Sequence, residues 1–396
     1  MKIVVNGGAG AMSLSAVIYC LEQRDVEQIV ITDLDKKALD QRLALLKDKR
    51  VTAEVLDVMD IKSAAKVFKG AQVVLNAALR PTCLPATQAA LEAGTNYTDL
   101  TGSEQDKQLA LSPRFQEKGI TAVICMGTAP GMSNIMGAYA AEKLDRVDSI
   151  EIKDVCANMV PHEEHSRGLY WGFAVDGIID EFYKEAPVME DGEIKLYPAR
   201  SFPEMVAFRP PVGLSHVAVT SHSEVKMFAQ AWKEKGLKRA SWKIGFEPEF
   251  ESKMRFLVSL GFGSPERIQV EGQMVSPREV LLTLLRNQPP ETKKQPDFRG
   301  HMLVVARGEE AGKKVEYTVT EYATAALTER MQKKGAFSSY RTGVYAGIIT
   351  IMLGRGQIKK RGVLYPDVSV PPELYIKEAI KAGIEVEISK KVMVDL

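Results

Sequence analysis

Cysteine is scarce, with only Cys20, Cys83, Cys125 and Cys156 in 396 residues and no Cys-x-x-Cys pair. A disulfide framework is therefore excluded, and a reduced, cytoplasmic protein is expected. Neither sign of charge is in excess: 52 Lys+Arg stand against 51 Asp+Glu, for a net charge of +1. A nucleic-acid partner and a polybasic membrane anchor are not expected on such a balance. No stretch reaches the roughly 18 uninterrupted apolar residues of a transmembrane helix. Met1-Lys2-Ile3-Val4-Val5 enters a strand pattern at once, so no signal peptide is expected. What is present is ordinary globular material, 45% hydrophobic and 26% charged. At about 150 residues per domain, the length points to two or three domains.

Along the first 130 residues short apolar runs alternate with segments of helical spacing. Ile3–Val5, Gln28–Thr32, Ala53–Leu56, Gln72–Asn76, Asn96–Asp99 and Thr121–Cys125 read as strands, with Ser13–Glu22, Lys36–Leu46 and Leu84–Ala93 as helices between them. Such alternation implies right-handed βαβ units, and so an α/β fold with a Rossmann-type doubly wound parallel sheet. Beyond residue 130 the strands become half-polar. Glu151–Val155, Gly300–Ala306 and Lys314–Thr320 suggest an α+β domain, the last two forming a hairpin around Glu309–Gly312. From Ala325 helical spacing returns, running through Val344–Leu353 to Gly354, and this part is expected to pack on the first domain. The expected division is 1–130, 131–335 and 336–396. Gln288–Gln295, rich in Pro and Lys, is expected to be a mobile surface loop.

After the first strand comes Gly7-Gly8-Ala9-Gly10-Ala11-Met12-Ser13. Gly8 suits the tight turn, and Gly10 lets backbone N–H groups of Ala11 and Met12 approach a pyrophosphate at the helix N-terminus. Ser13 stands where a third Gly or Ala is usual. Asp33 follows at the end of the second strand, where a carboxylate accepts from ribose hydroxyls and disfavours a 2′-phosphate, so NAD is expected over NADP. Asp33 or Asp35 also suits the cap of the following helix. Asp57 and Val58, after the third strand, can frame an adenine, or Asp57 can cap the helix near Ile61. Asn76-Ala77-Ala78, after the fourth, leaves room for the nicotinamide side of the cofactor.

Several stretches together resemble the saccharopine dehydrogenase-like oxidoreductases. They are Gly7–Met12, Val74–Ala78, Ala89–Gly94 leading to Tyr97–Leu100, Gly127–Asn134, Ser276–Leu282 and Gly354–Val363. The resemblance implies a dinucleotide-binding domain built from both ends of the chain, with an inserted α+β substrate and dimerisation domain, and hence a homodimer. It implies NAD(P)-dependent oxidoreduction at the C–N bond of an amino acid, a small-molecule substrate. Within the family, the Ala-Pro-Gly-Met turn and the Gly-Arg-Gly tail are most similar to those of lysine 6-dehydrogenase, which implies oxidative deamination by hydride transfer to NAD. Saccharopine and carboxynorspermidine enzymes tend to carry Asp where this chain has Ala129. The alternatives are a reductase joining an amine to an aldehyde, as those relatives do, and a non-catalytic NAD-sensing protein.

Amine oxidation needs a neutral amine, so an amine of pKa near ~10.4 must lose its proton to a base or a desolvating site. Asp99, at the end of the fifth strand, is a candidate for holding or deprotonating the amine, or else a turn cap. Thr220-Ser221-His222-Ser223-Glu224 resembles the family's His-x-Glu stretch, and His222 or Glu224 is a candidate base. A lone histidine can equally be a hydrogen-bonded structural residue. For a substrate carboxylate, Arg209 and the pair Arg341-Thr342 are candidates, with a solvated surface position the other reading of each arginine. His162-Glu163-Glu164-His165 lacks zincin spacing and reads as a polar loop, so no metal is expected.

Overall fold

Long apolar runs bounded by glycines and acids can be buried on both faces only inside a parallel sheet, and the first six runs form one. In the computed structural model, which describes residues 1–102, 104–337 and 339–393, they are β1 (Lys2–Asn6), β2 (Gln28–Asp33), β3 (Val51–Val55), β4 (Val73–Asn76), β5 (Asn96–Asp99) and β6 (Thr121–Val123). With a strand at Gly362–Leu364 they make a seven-stranded sheet among the described residues. Its order is Gly362–Leu364, β6, β5, β4, β1, β2, β3, every pair parallel. The order reverses at β1, so α1 (Ala11–Leu21) starts where open α/β sheets bind ligands. Ile3, Val4 and Val5 are wholly buried, about 1.5–3 kcal/mol of transfer free energy for each such side chain. The expected strand Thr121–Cys125 stops at Val123. Cys125 turns to φ 65° and gives its N–H to Asp99 Oδ1 at 2.8 Å.

The chain divides into two units: Met1–Tyr139 with Ala323–Val386, and Ala140–Tyr322 with Glu387–Leu396. In the first, the helix Tyr340–Gly354 lies on α1, and small residues set the spacing. A Cβ on Gly343 would lie 2.2 Å from Met12 O, and one on Gly347 2.8 Å from Tyr19 Cδ1. In the second unit β7 (Arg146–Asn158) pairs in parallel with Arg239–Gly245 and antiparallel with Phe298–Glu310. These belong to a mixed sheet, nine-stranded among the described residues. The expected hairpin is longer than its polar pattern suggested, Phe298–Glu310 against Lys313–Ala323, turning at Ala311-Gly312. Residues 288–295 have no regular structure, yet the Glu291 carboxylate takes the Ser166 N–H at 3.0 Å and the Tyr170 hydroxyl, which ties the segment down. No helix among the described residues is long and apolar enough to cross a membrane.

Candidate functional site

The corner between β1 and α1 is built by what its glycines lack. Gly7 has φ 74°, and a Cβ there would lie 2.5 Å from Ala78 N; a Cβ on Gly8 would lie 2.5 Å from Ile31 Cβ. Gly10 caps α1 with no side chain, so the first-turn amides have no side-chain acceptor and carry the positive end of the helix dipole. Ala11 beside them is exposed, and Ser13 Oγ turns inward to Gly10 O at 2.8 Å. A diphosphate fits such a cradle, and Gly8, Gly10, Ala11 and Met12 are the residues that would hold it. Gly8→Ala is expected to weaken NAD(P)H binding about tenfold or more, an overpacking cost of roughly 1–3 kcal/mol, measured by fluorescence titration. An unchanged affinity would show that the corner does not hold the cofactor.

Asp33 stands beside this corner. Its Oδ2 accepts from Ala9 N at 3.2 Å, and its Oδ1 from Leu34 N at 2.8 Å and Asp35 N at 3.4 Å. The cap of α2 (Lys36–Leu46) is Asp35, which accepts from Ala38 N at 3.0 Å, not Asp33. Asp57 does not cap the next helix either: it is exposed and accepts from Met59 N, while Asp60 caps Ile61–Phe68. Val58 is buried. Asn76 is buried too and bridges strand ends, its Oδ1 taking Asn6 Nδ2 at 2.8 Å and its Nδ2 reaching Thr82 Oγ1 at 3.1 Å. Ala77 N donates to Asn6 O, which lays Ala77-Ala78 against Gly7.

Asp99 is fully buried, and its two oxygens meet four donors. Oδ1 takes Cys125 N at 2.8 Å and Gly102 N at 3.0 Å; Oδ2 takes Gln108 Nε2 at 2.8 Å and Tyr97 OH at 3.1 Å. Burial pushes the carboxyl above its ordinary range while the donors pull it down. The side chain thus holds the ends of β5 and β6 in place. Next to it the turn Gly127–Met132 closes through Gly127 N to Pro130 O at 2.7 Å, and Thr128 Oγ1 meets Thr342 Oγ1 at 2.8 Å. Arg341 is buried in the first turn of the same helix as Thr342.

In the second unit the structure joins His222 and Glu224 and adds a residue that the sequence reading missed. His222 Nδ1 lies 3.0 Å from Glu224 Oε2, and Nε2 lies 3.0 Å from Glu181 Oε1, on the helix Val175–Tyr183. The imidazole stacks on buried Trp242, centroids 4.0 Å apart at 16°. Burial lowers the ring's proton affinity, but the flanking carboxylates outweigh it and hold the pKa up to about 10. The two carboxylates thus favour the protonated imidazole over the neutral one. The acid in Gly-Ile-Ile-Asp-Glu-Phe, among apolar neighbours, was the available signal for Glu181.

The remaining candidates are occupied locally. Arg209 Nη1 binds Glu387 at 2.8 Å, and its guanidinium lies 4.6 Å from the Tyr322 ring centroid. His162 contacts Gly168 O and Lys253, whereas His165 contacts Lys294 O and Asn158.

A glycine corner without side-chain cap at the switch point of a parallel sheet, with an acid at the end of the second strand, defines a Rossmann-type dinucleotide-binding protein. The chain matches the family descriptions "Saccharopine dehydrogenase NADP binding domain" over residues 3–123 and "Saccharopine dehydrogenase C-terminal domain" over residues 127–384, and so belongs to the saccharopine dehydrogenase family. It is an oxidoreductase of that family, whose members act with NAD(P) on amine and imine groups. A carboxyaminopropylagmatine dehydrogenase of Synechocystis sp. is 23% identical, over 97% of this chain and 96% of that one. A carboxynorspermidine synthase of Vibrio cholerae is 25% identical, over 80% and 78%. Among solved structures, apo saccharopine dehydrogenase (L-Glu forming) from Saccharomyces cerevisiae shares the fold with a TM-score of 0.72 at 15% identity, covering 98% of this chain and 99% of that one. Homospermidine synthase from Legionella pneumophila in complex with NAD does so at 0.64 and 11%, covering 99% and 91%.

Proposed function

We propose that the protein joins a primary amine to an aldehyde by NAD(P)H-dependent reduction, forming a secondary amine. The balance is amine plus aldehyde plus NAD(P)H plus a proton, giving secondary amine, NAD(P)⁺ and water. The observation that carries this reading over oxidative deamination of lysine is the imidazole of His222 held between two buried carboxylates, each 3.0 Å away, which favour its protonated form. Condensation has to expel water from a carbinolamine and to favour the protonated imine, both of which call for an acid. The end-to-end likeness to a carboxyaminopropylagmatine dehydrogenase, together with that to a carboxynorspermidine synthase, supports the same choice.

When bound, the cofactor supplies the hydride. Gly8, Gly10, Ala11 and Met12 hold its diphosphate, Ala77 and Ala78 border its path, and Asp99 positions the loop ends beside it. Within the unit that contains residues 140–322, His222 would serve as the acid, with Glu181 and Glu224 favouring its charged form. The test is initial-rate oxidation of NADPH and NADH with a diamine and an amino-acid semialdehyde, against reduction of NAD with L-lysine alone. Turnover of the amine–aldehyde pair is expected. Turnover with lysine and NAD, and none with the pair, would overturn the proposal.

A further inference from the structure

Between the helices Pro248–Ser259 and Pro277–Arg286 the chain runs out into a two-stranded arm. Ile268–Val270 lies antiparallel to Gln273–Val275, and the two pair with no other strand among the described residues. Arg278 N closes the base of the arm on Ser264 O at 3.2 Å, and beyond that point residues 265–274 are all exposed. A hairpin with neither face on a core is marginal in water, and its outer edges offer unpaired N–H and C=O groups to another strand. Ile268 and Val270, 52% and 46% exposed, share one face of the arm, so apolar surface is left open beside the edge.

The two edges are not equivalent. Glu271 and Gly272 turn the arm at φ 47° and 81°, a two-residue turn flanked by Val270 and Gln273, which exchange both hydrogen bonds. Such pairs alternate along an antiparallel ladder, so Ile268 and Val270 bond inside the arm while Gln269 points its N–H and C=O outward. On the other strand the edge is cut short: Ser276 caps the next helix by accepting from Glu279 N at 3.3 Å, and Pro277 has no N–H. The first strand, with its flanks, reads Arg267-Ile268-Gln269-Val270-Glu271. Laid antiparallel against itself, it sets Gln269 opposite Gln269, Ile268 opposite Val270 and Arg267 opposite Glu271. Neither Arg267 nor Glu271 has an ion-pair partner among the described residues. Charges uncommitted within one chain are thus matched twice between two. We propose that two copies of the protein join through this edge, each Ile268–Val270 strand pairing with its counterpart across a two-fold axis at Gln269 to form a four-stranded antiparallel sheet. A two-fold pairing closes, whereas pairing of the first strand with the second would run on into a filament. One face of the new sheet carries the two symmetric Arg267–Glu271 pairs, and on the other Ile268 packs against Val270 of the second copy. An edge contact of this length is small for a specific interface, so a reversible dimer forming at about micromolar concentration is expected. The proposal does not rest on the reaction.

Sedimentation velocity of the full chain over a concentration series reads the association. The wild type is expected to move toward a dimer as concentration rises. Arg267→Glu and Glu271→Arg each place like charges opposite one another at both symmetric positions, and each is expected to weaken the dimer about tenfold or more. The double reversal restores the matched pairs and should return the affinity to within about threefold of wild type. A cross-link tests the register. Gln269→Cys is expected to give a covalent dimer on oxidation with diamide, because a hydrogen-bonded antiparallel pair holds its Cα atoms about 5.5 Å apart, within the span of a disulfide. Met274→Cys, on the other edge of the arm, should give none. All four positions are exposed, so the substitutions do not threaten the fold. A monomer throughout the series would overturn the proposal. So would a dimer that both single reversals leave intact and that Gln269→Cys does not lock, since another surface would then hold it.

Discussion

His222→Ala is expected to cost about 3–5 kcal/mol of stability near neutral pH, because it removes the cation and leaves Glu181 and Glu224 as buried carboxylates without it. Glu224 is fully buried and Glu181 nearly so, and each carboxylate stands 3.0 Å from the ring. The pH dependence has a definite sign. Burial alone would hold the imidazole neutral, but the carboxylates raise its pKa to about 10 in the folded state, against about 6.5 in the unfolded chain. Its contribution is therefore complete below about pH 6.5 and is lost as pH rises through about 10. Urea unfolding at a series of pH values should show the gap between wild type and variant shrinking on the alkaline side. Trp242, stacked on the ring, supplies the fluorescence signal. A gap below about 1 kcal/mol, or one that ignores pH, would mean that His222 is an ordinary exposed histidine, and the proton-donor role would fall with it.

The parallel sheet was legible because strands buried on both faces have to be continuous apolar runs, and Ile3–Val5 or Val73–Leu75 can hardly be anything else. The glycine corner was legible for a related reason: neither Gly7 nor Gly8 leaves room for a Cβ, so the backbone demand is written in the residue type. Polar partnerships were hidden. Glu181 lies 41 residues before His222, and nothing near it in the chain marks its partner. Arg42 reaches back to the carbonyls of Ala9 and Gly10, and a bond to backbone leaves no signature in the residues that accept it. Helix caps were only partly legible for the same local reason: Asp35 was one of the two acids offered for α2, whereas Asp60 was not foreseen. Acids cluster after β2 and β3, and only the geometry separates Asp35 and Asp60, which cap, from Asp33 and Asp57, which do not.

Asp99 carries the other large expected effect, and it separates a positioning role from proton acceptance. Asp99→Ala would strip the acceptor from two backbone amides, Cys125 and Gly102, and would take one of two acceptors from Gln108, which also reaches Thr87 Oγ1, and from Tyr97, which also reaches Cys83 O. Each stranded buried donor costs roughly 1–3 kcal/mol, and since such costs do not add fully, a loss of about 3–5 kcal/mol is expected. Asp99→Asn should be far milder. Its Oδ1 still serves both amides, and Gln108, whose Oε1 has no partner among the described residues, can turn over to accept from the new Nδ2. Urea unfolding should therefore rank wild type and Asp99→Asn within about 1.5 kcal/mol, with Asp99→Ala well below. The kinetic side follows from the same geometry. A carboxylate whose oxygens already meet four donors is expected to hold the ends of β5 and β6 in place rather than to take a proton from substrate. Asp99→Asn is thus expected to keep turnover within about tenfold of wild type, with the pH profile of kcat unmoved. Loss of turnover by several hundredfold in a fully stable Asp99→Asn would instead make Asp99 the group that handles the proton.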